Sequence, residues 1–306
     1  MFFRNIRFYC FSKPFAHSAE ALEEKLLPQA FAEGENYGKS RTGWVSPLGK
    51  EGELLTHSVG NYIMLCMRKD EKLLPASVVN EVLAEKVEEI EERQARKISR
   101  KEKLQLKDDV IATLLPRAFS RTRKVYGYIA SKEDLFIVNT SSATVAEEFI
   151  NTLRESLETL SVTLPVAKLA PGDIMTRWVE QQNAAEGFSI NQEVELFNPM
   201  EDSNVVRCKG QDLATEEIQA HLSAGKQVKK LGVLWNDTLS CVIGADLSIS
   251  RLKFEDMILE KAEESDAESA AQQFDQDFAI MSLEISKFMK SFAAAFGGIG
   301  CVGDDG

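Results

Sequence analysis

The chain has 306 residues, 44% hydrophobic and 27% charged, with a formal net charge of −12. This composition suits a globular protein with one large core or two ordinary ones, and excludes disordered and fibrous classes. No run reaches the ~18 consecutive apolar residues that span a bilayer.

The opening MFFRNIRFYCFSKPF is broken by Arg4, Arg7 and Lys13, so it has neither the apolar stretch nor the cleavage site of a signal peptide. Within it, residues 2–11 have the aromatic and β-branched content of a strand. Residues 17–31 predict a helix capped by Ser18 and ended at Pro28. TGWVSPLG, ELLTHSVG and NYIMLCMRKD predict three strands separated by glycine turns.

From Pro75 to Asp109 there is no further Gly or Pro, and Leu83, Val87 and Ile90 repeat at helical spacing. This predicts one long helix, acidic early and basic late in keeping with the helix dipole, with Glu89 placed to pair Arg93. A second helix is expected to start at Asp108 or Asp109 and to be interrupted at Pro116. RTRKVYGYIAS and DLFIVNT predict a hairpin turning at Lys132–Glu133. A helix follows, capped by Ser141 or Ser142, with Val145, Phe149, Leu153 and Leu157 on one face.

DIMTRWVEQQ predicts a short helix, and residues 187–254 read mostly as strands around a helix ended by Gly225. The acidic C-terminal helices come last: from Phe254 to Gly306 there are 12 acids and 3 bases. The closing GGIGCVGDDG is expected to fray. Strands and helices do not strictly alternate, so the fold class is α+β rather than doubly wound, with boundaries near residue 75 and near 160–170. The corresponding lobes are residues 1–75, 76–165 and 166–306.

Familiar catalytic motifs fail on their own mechanics. GIGCVG matches the dinucleotide fingerprint, but only three residues follow Gly303, too few for the helix that would meet a pyrophosphate. GENYGKS has three residues between its glycines where a P-loop needs four. His17, His57 and His221 lie far apart and give no metal-ligand spacing. The five cysteines are scattered, odd in number and without a C-x-x-C pair, which points to reduced thiols in a cytoplasm. No catalytic group, cofactor or metal is expected.

Charge distribution is the strongest signal. From Arg93 to Lys132 there are 12 Lys/Arg and 3 Asp/Glu, while the rest of the chain holds 24 bases and 45 acids. On one helix, Arg93, Arg96, Arg100, Lys103 and Lys107 would form a single stripe, with Lys97 and Lys101 beside it. Arg117, Arg121, Arg123 and Lys124 follow around Phe119. Such a run is either a solvated face, a dock for an acidic partner such as the C-terminal helices, or a phosphate-binding surface. Phe119 could stack on a base, pack in the core or anchor a protein interface, the last two being the commoner fates.

EKLLPASVVNEVLAEKVEEIEERQARKISRKEKLQLKDDVIATLLPRAFSR resembles the bacterial recombination-associated protein family RdgC, as do MFFRNIRFY, GWVSPLG, VVRCKGQDL, HLSAGKQVKKLGVLW and ISRLKF. The resemblance covers essentially the whole chain. It implies a non-enzymatic, nucleoid-associated protein: a curved, multi-lobed monomer that closes as a ring-shaped homodimer around duplex DNA. Such a protein binds single strands too, is indifferent to sequence, and restrains RecA-promoted strand exchange. By this resemblance Arg93 to Lys107 help line the hole, and Arg117, Arg121 and Arg123 sit near a gate whose subunit contact is Phe119. A second DNA region falls at Lys209 and Gln211, where Gly210 replaces a basic residue present in some relatives.

Overall fold

A computed structural model describes residues 1–34, 38–263, 267 and 269–301. In chain order, β1 (Arg7–Phe11) leads to α1 (Ala19–Leu26), whose Ser18 cap accepts the Ala21 N–H at 3.3 Å. Then come β2 (Ser40–Val45), β3 (Thr56–Val59), β4 (Tyr62–Leu73), α2 (Ala76–Gln94) and α3 (Arg100–Leu114). The middle holds β5 (Phe119–Ala130), β6 (Leu135–Val138), α4 (Ala143–Leu157), β7 (Val162–Thr163), β8 (Pro165–Ala167) and α5 (Pro171–Gln181). The last part holds β9 (Phe188–Asn198), β10 (Glu201–Lys209), α6 (Glu216–Ser223), β11 (Gln227–Trp235), β12 (Leu239–Gly244) and β13 (Ile249–Phe254). It ends with α7 (Asp256–Glu263), α8 (Ala270–Ala295) and β14 (Ile299–Cys301).

The expected α+β class holds. One sheet has the order β2-β4-β5-β6-β1-β7, with β3 on β4, and a second has the order β10-β9-β11-β12-β13. Pairings of β1 with β6, β3 with β4, β5 with β6, and throughout the second sheet are antiparallel. The chain divides into two compact units interleaved in sequence: Met1–Pro28, Ser46–Cys66 and Val125–Gly306 in the first, Gln29–Val45 and Met67–Lys124 in the second.

The first unit is built on aromatic packing. On α8, Phe278, Met281, Ile285, Phe288 and Phe292 recur at helical spacing and are buried. Trp178 of α5 stacks between Phe188 and Phe296, at ring centroids of 5.9 and 5.8 Å. Phe288 meets Trp235 edge-on at 5.6 Å. Rings in such pairings bury large apolar areas and dominate a core.

The second unit has a smaller core of Trp44, Met67, Val79, Leu83 and Val110. Gly43 is required there: a Cβ would lie 2.7 Å from the Phe31 Cα. The Arg68 guanidinium lies over the Phe31 ring at 4.1 Å and also pairs with Asp70 and Glu33.

One expectation is overturned at the C-terminus. Residues Ile299–Cys301 do not fray; they form β14, paired with β8 in the register Ile299↔Ala167, Gly300↔Val166, Cys301↔Pro165. The partner strand lies over 130 positions upstream, so no local pattern announces it. Gly303 of the apparent dinucleotide motif and residues 35–37 of the apparent P-loop lie outside the described residues.

Candidate nucleic-acid interface

The cationic segment does not form the single expected helix. α2 ends at Gln94, Ala95 adopts a left-handed φ of 50°, and α3 begins at Arg100. Nor does a helix start at Asp108 or Asp109; both lie inside α3. The cause is local chemistry. The Ser99 hydroxyl accepts the Glu102 N–H, and the Glu102 carboxylate accepts the Ser99 N–H at 2.9 Å, a reciprocal capping box. Glu91 closes the turn by accepting the Ile98 N–H at 2.8 Å.

Arg96 clamps this corner. It donates from two nitrogens to the two Glu102 oxygens, at 2.7 and 3.1 Å, and from Nε to Gln94 at 2.9 Å. Arg96, Ser99's N–H and Ser99's hydroxyl together pull the Glu102 carboxyl down to about 2. Much of the Arg96 charge is therefore committed to its own corner.

The expected stripe is split accordingly. Arg93 closes α2, Arg96 and Lys97 lie in the connection, and Arg100, Lys103 and Lys107 keep one face of α3, with Lys101 alongside. All are exposed except Lys107, which is half-buried. Cations in the first turn of a helix oppose its dipole. Arg100, Lys101 and Lys103 thus sit where helix stability does not favour them.

β5 carries the other cations. Residues Phe119 to Lys124 are exposed on both faces of the strand, whereas Val125 to Ala130 are mostly buried. Strand alternation puts Phe119, Arg121 and Arg123 on one side. The Phe119 side is open: the ring is 86% exposed, which removes the core reading of this residue. Arg117 is exposed in the turn just before it.

The neighbouring β4 frames this strand from the opposite side chains. The Lys72 ammonium donates to the Pro116 and Ala118 carbonyls at 3.4 and 3.2 Å, fixing the corner before Phe119. Asp70 takes Arg68 at 3.0 and 2.8 Å; that contact, reinforced by Thr122, holds its carboxyl below the ordinary range against the effect of burial.

Lys209 ends β10 and is exposed, while Gly210 turns the chain at a φ of 70°. The half-buried Gln211 amide donates to Glu217 at 3.2 Å and Thr215 at 3.4 Å, so it is tied to the start of α6. Among the described residues no His, Cys, Asp or Glu group could hold a metal ion, and no helix is long and apolar enough to cross a membrane.

Residues 1–299 match the protein family described as "Putative exonuclease, RdgC". The chain belongs to the RdgC family. Among curated relatives, the recombination-associated protein RdgC of Aeromonas hydrophila is 44% identical over 97% of this chain and 98% of its own length. The RdgC proteins of Pseudomonas putida and Yersinia enterocolitica are 42% and 39% identical over the same shares. For an RdgC chain the two names pull apart: one describes an exonuclease, the other an association with recombination.

Proposed function

We propose that this protein binds DNA, duplex and single strand, through phosphates and without sequence preference. It acts as a homodimeric ring whose hole carries the cations and whose occupancy of DNA limits RecA-promoted strand exchange. The observation that carries this reading is the exposed series Arg100, Lys101, Lys103, Arg117, Arg121, Arg123 and Lys124. None of these has an ion-pair partner among the described residues, although the chain is acidic.

Unpaired like charges repel, and an anion between them relieves that cost. The arginine fork suits a phosphate, and six to ten such contacts give an affinity that falls about 10³–10⁵-fold between 50 and 200 mM salt. The reading contains no covalent step. It places the protein in the cytoplasm, at the nucleoid.

The 86% exposed Phe119 supports the dimer. A second copy covering this ring would remove its apolar surface from water, as buried aromatic anchors do at protein interfaces. Retention on DNA tests the ring. After a salt challenge, the protein should stay on covalently closed circles and slide off linear duplex of the same sequence. Equal loss from both would overturn encirclement.

The family description favours a second reading, phosphodiester hydrolysis. End-labelled DNA incubated with the protein and Mg²⁺ or Mn²⁺ should remain full-length; progressive shortening from an end would replace the binding reading with the enzymatic one.

A further inference from the structure

A cavity opens in the first unit where β1, the turn between β5 and β6, α8 and β14 meet. Its volume is about 500 Å³, within the range of roughly 300–1,000 Å³ that holds small molecules. Strand pairing builds it. β6 runs beside β1 through Cys10↔Leu135, and the Phe11 N–H donates to the Asp134 carbonyl at 2.8 Å, which draws the turn over β1. The pairing of β14 with β8 sets Ile299 and Gly300 on the far side. On α8, Ser286, Met289, Lys290 and Ala293 recur at helical spacing and line the cavity with one face.

The walls are apolar. Phe8, Phe11 and Met289 are buried, and Leu135 and Ile299 half-buried. Gly300 leaves room, since a Cβ there would meet nothing within 4 Å.

Glu133 supplies a prepared polar group. The Ser286 and Tyr62 hydroxyls both donate to its Oε1, at 2.6 and 3.1 Å, and so fix the carboxylate. Its Oε2 is buried and has no hydrogen-bond partner among the described residues. A buried carboxylate oxygen without a donor is costly, and a ligand N–H would relieve that cost.

Cations complete the lining. Lys132 and Lys290 are exposed and have no ion-pair partner among the described residues. Asp134 lines the cavity too, so two lysines balance two carboxylates. A balanced lining disfavours a ligand of net charge, such as a nucleotide or a fatty acid. It suits a ligand that carries a cation and an anion at once.

We infer that this cavity binds a small zwitterion with an apolar side chain, of the class of the large apolar α-amino acids. The ligand ammonium donates to Glu133 Oε2, the ligand carboxylate meets Lys132 and Lys290, and the side chain packs on Phe8, Phe11 and Met289. No covalent bond forms or breaks. The site shares no residue with the cations proposed to hold DNA, so the two readings stand or fall separately.

Isothermal titration calorimetry on the full chain tests the assignment with three probes. These are L-phenylalanine, 3-phenylpropionate, which lacks the ammonium, and phenethylamine, which lacks the carboxylate. L-Phenylalanine should bind, and each of the others should bind about tenfold more weakly or worse. Glu133→Gln keeps an oxygen for Tyr62 and Ser286 but puts a donor in place of Oε2; it should weaken L-phenylalanine about tenfold or more. Should that variant melt early, Lys290→Gln decides. Its side chain is exposed, and its loss should weaken L-phenylalanine while leaving phenethylamine unchanged. Absence of L-phenylalanine binding by the wild type overturns the site. Equal binding of 3-phenylpropionate overturns the zwitterion, and unchanged L-phenylalanine binding by both variants overturns its placement in this cavity.

Discussion

The α3–β5 segment and the open face of the five-stranded sheet both carry cations, but they hold them in different ways. On the sheet, each of Arg207, Lys230, Arg251 and Lys253 stands on a carboxylate. Along α3 and β5, Arg100, Lys101, Lys103, Arg121 and Arg123 stand on nothing of opposite charge among the described residues. The exception is Arg96, locked to Glu102. The sheet cations serve the fold, whereas the α3–β5 cations lie among like charges whose repulsion a bound anion would relieve. Removing charge should therefore cost stability on the sheet and, on the proposed DNA-binding reading, affinity along α3 and β5.

The largest contrast is between two phenylalanines. Phe288, fully buried against Trp235 and Phe292, should cost about 3–5 kcal/mol when cut to Ala. Phe119→Ala should leave stability within about 0.5 kcal/mol and weaken self-association instead. Thermal melting beside sedimentation separates these outcomes, and a large loss of stability at Phe119 would contradict its placement.

Next in size is charge removal on β5 and the turn before it. Arg117→Gln, Arg121→Gln and Arg123→Gln together should reduce the salt slope of DNA binding by about three, equally for unrelated duplexes, with an unchanged melting temperature. A loss confined to one sequence would mean base reading.

Glu195→Gln on the sheet should act on stability, by about 1 kcal/mol, because two cations lose their anchor. The folded carboxyl lies below its ordinary value, so its contribution is present above the ordinary carboxylate range and lost as pH falls through the depressed folded value. Melting temperature followed against pH should show this loss in the wild type and not in the variant.

An effect of similar size is expected at the helix corner. Ser99→Ala removes half of the capping box and should cost about 0.5–2 kcal/mol of helix stability. Because Glu102 stays ionised down to about 2, acidification to pH 4 should leave the Arg96–Glu102 clamp intact, and it should open only near pH 2. Amide exchange at Ser99 across that range reports it.

Much of this architecture is written locally. Ser18 and Ser142 cap their helices, Pro28 and Pro116 fall in 3₁₀ turns, and the hairpin between β5 and β6 turns where its polar residues predict. The break at Ala95 carries no Gly or Pro, so a search for helix breakers passes over it. Its signal is the Ser99-x-x-Glu102 spacing, a start signal within an apparently continuous helix.

The exposure of Phe119 has no local signal either, since a phenylalanine opening a strand fits a core and an interface equally well. Only the open faces of Phe119 to Lys124 reveal it. The layering of acid under base on the sheet depends on the register of β9 against β10 and β11, which pairs residues 12 and 35 positions apart. Composition supplies those charges but not their depth.

The most direct test of the central claim is the salt dependence of DNA affinity for the wild-type protein on two duplexes of unrelated sequence. The account predicts parallel lines of log affinity against log salt, with a steep negative slope of about −5 or beyond, as six or more phosphate contacts require. A flat line, or two lines separated by a large sequence-dependent offset, would contradict it.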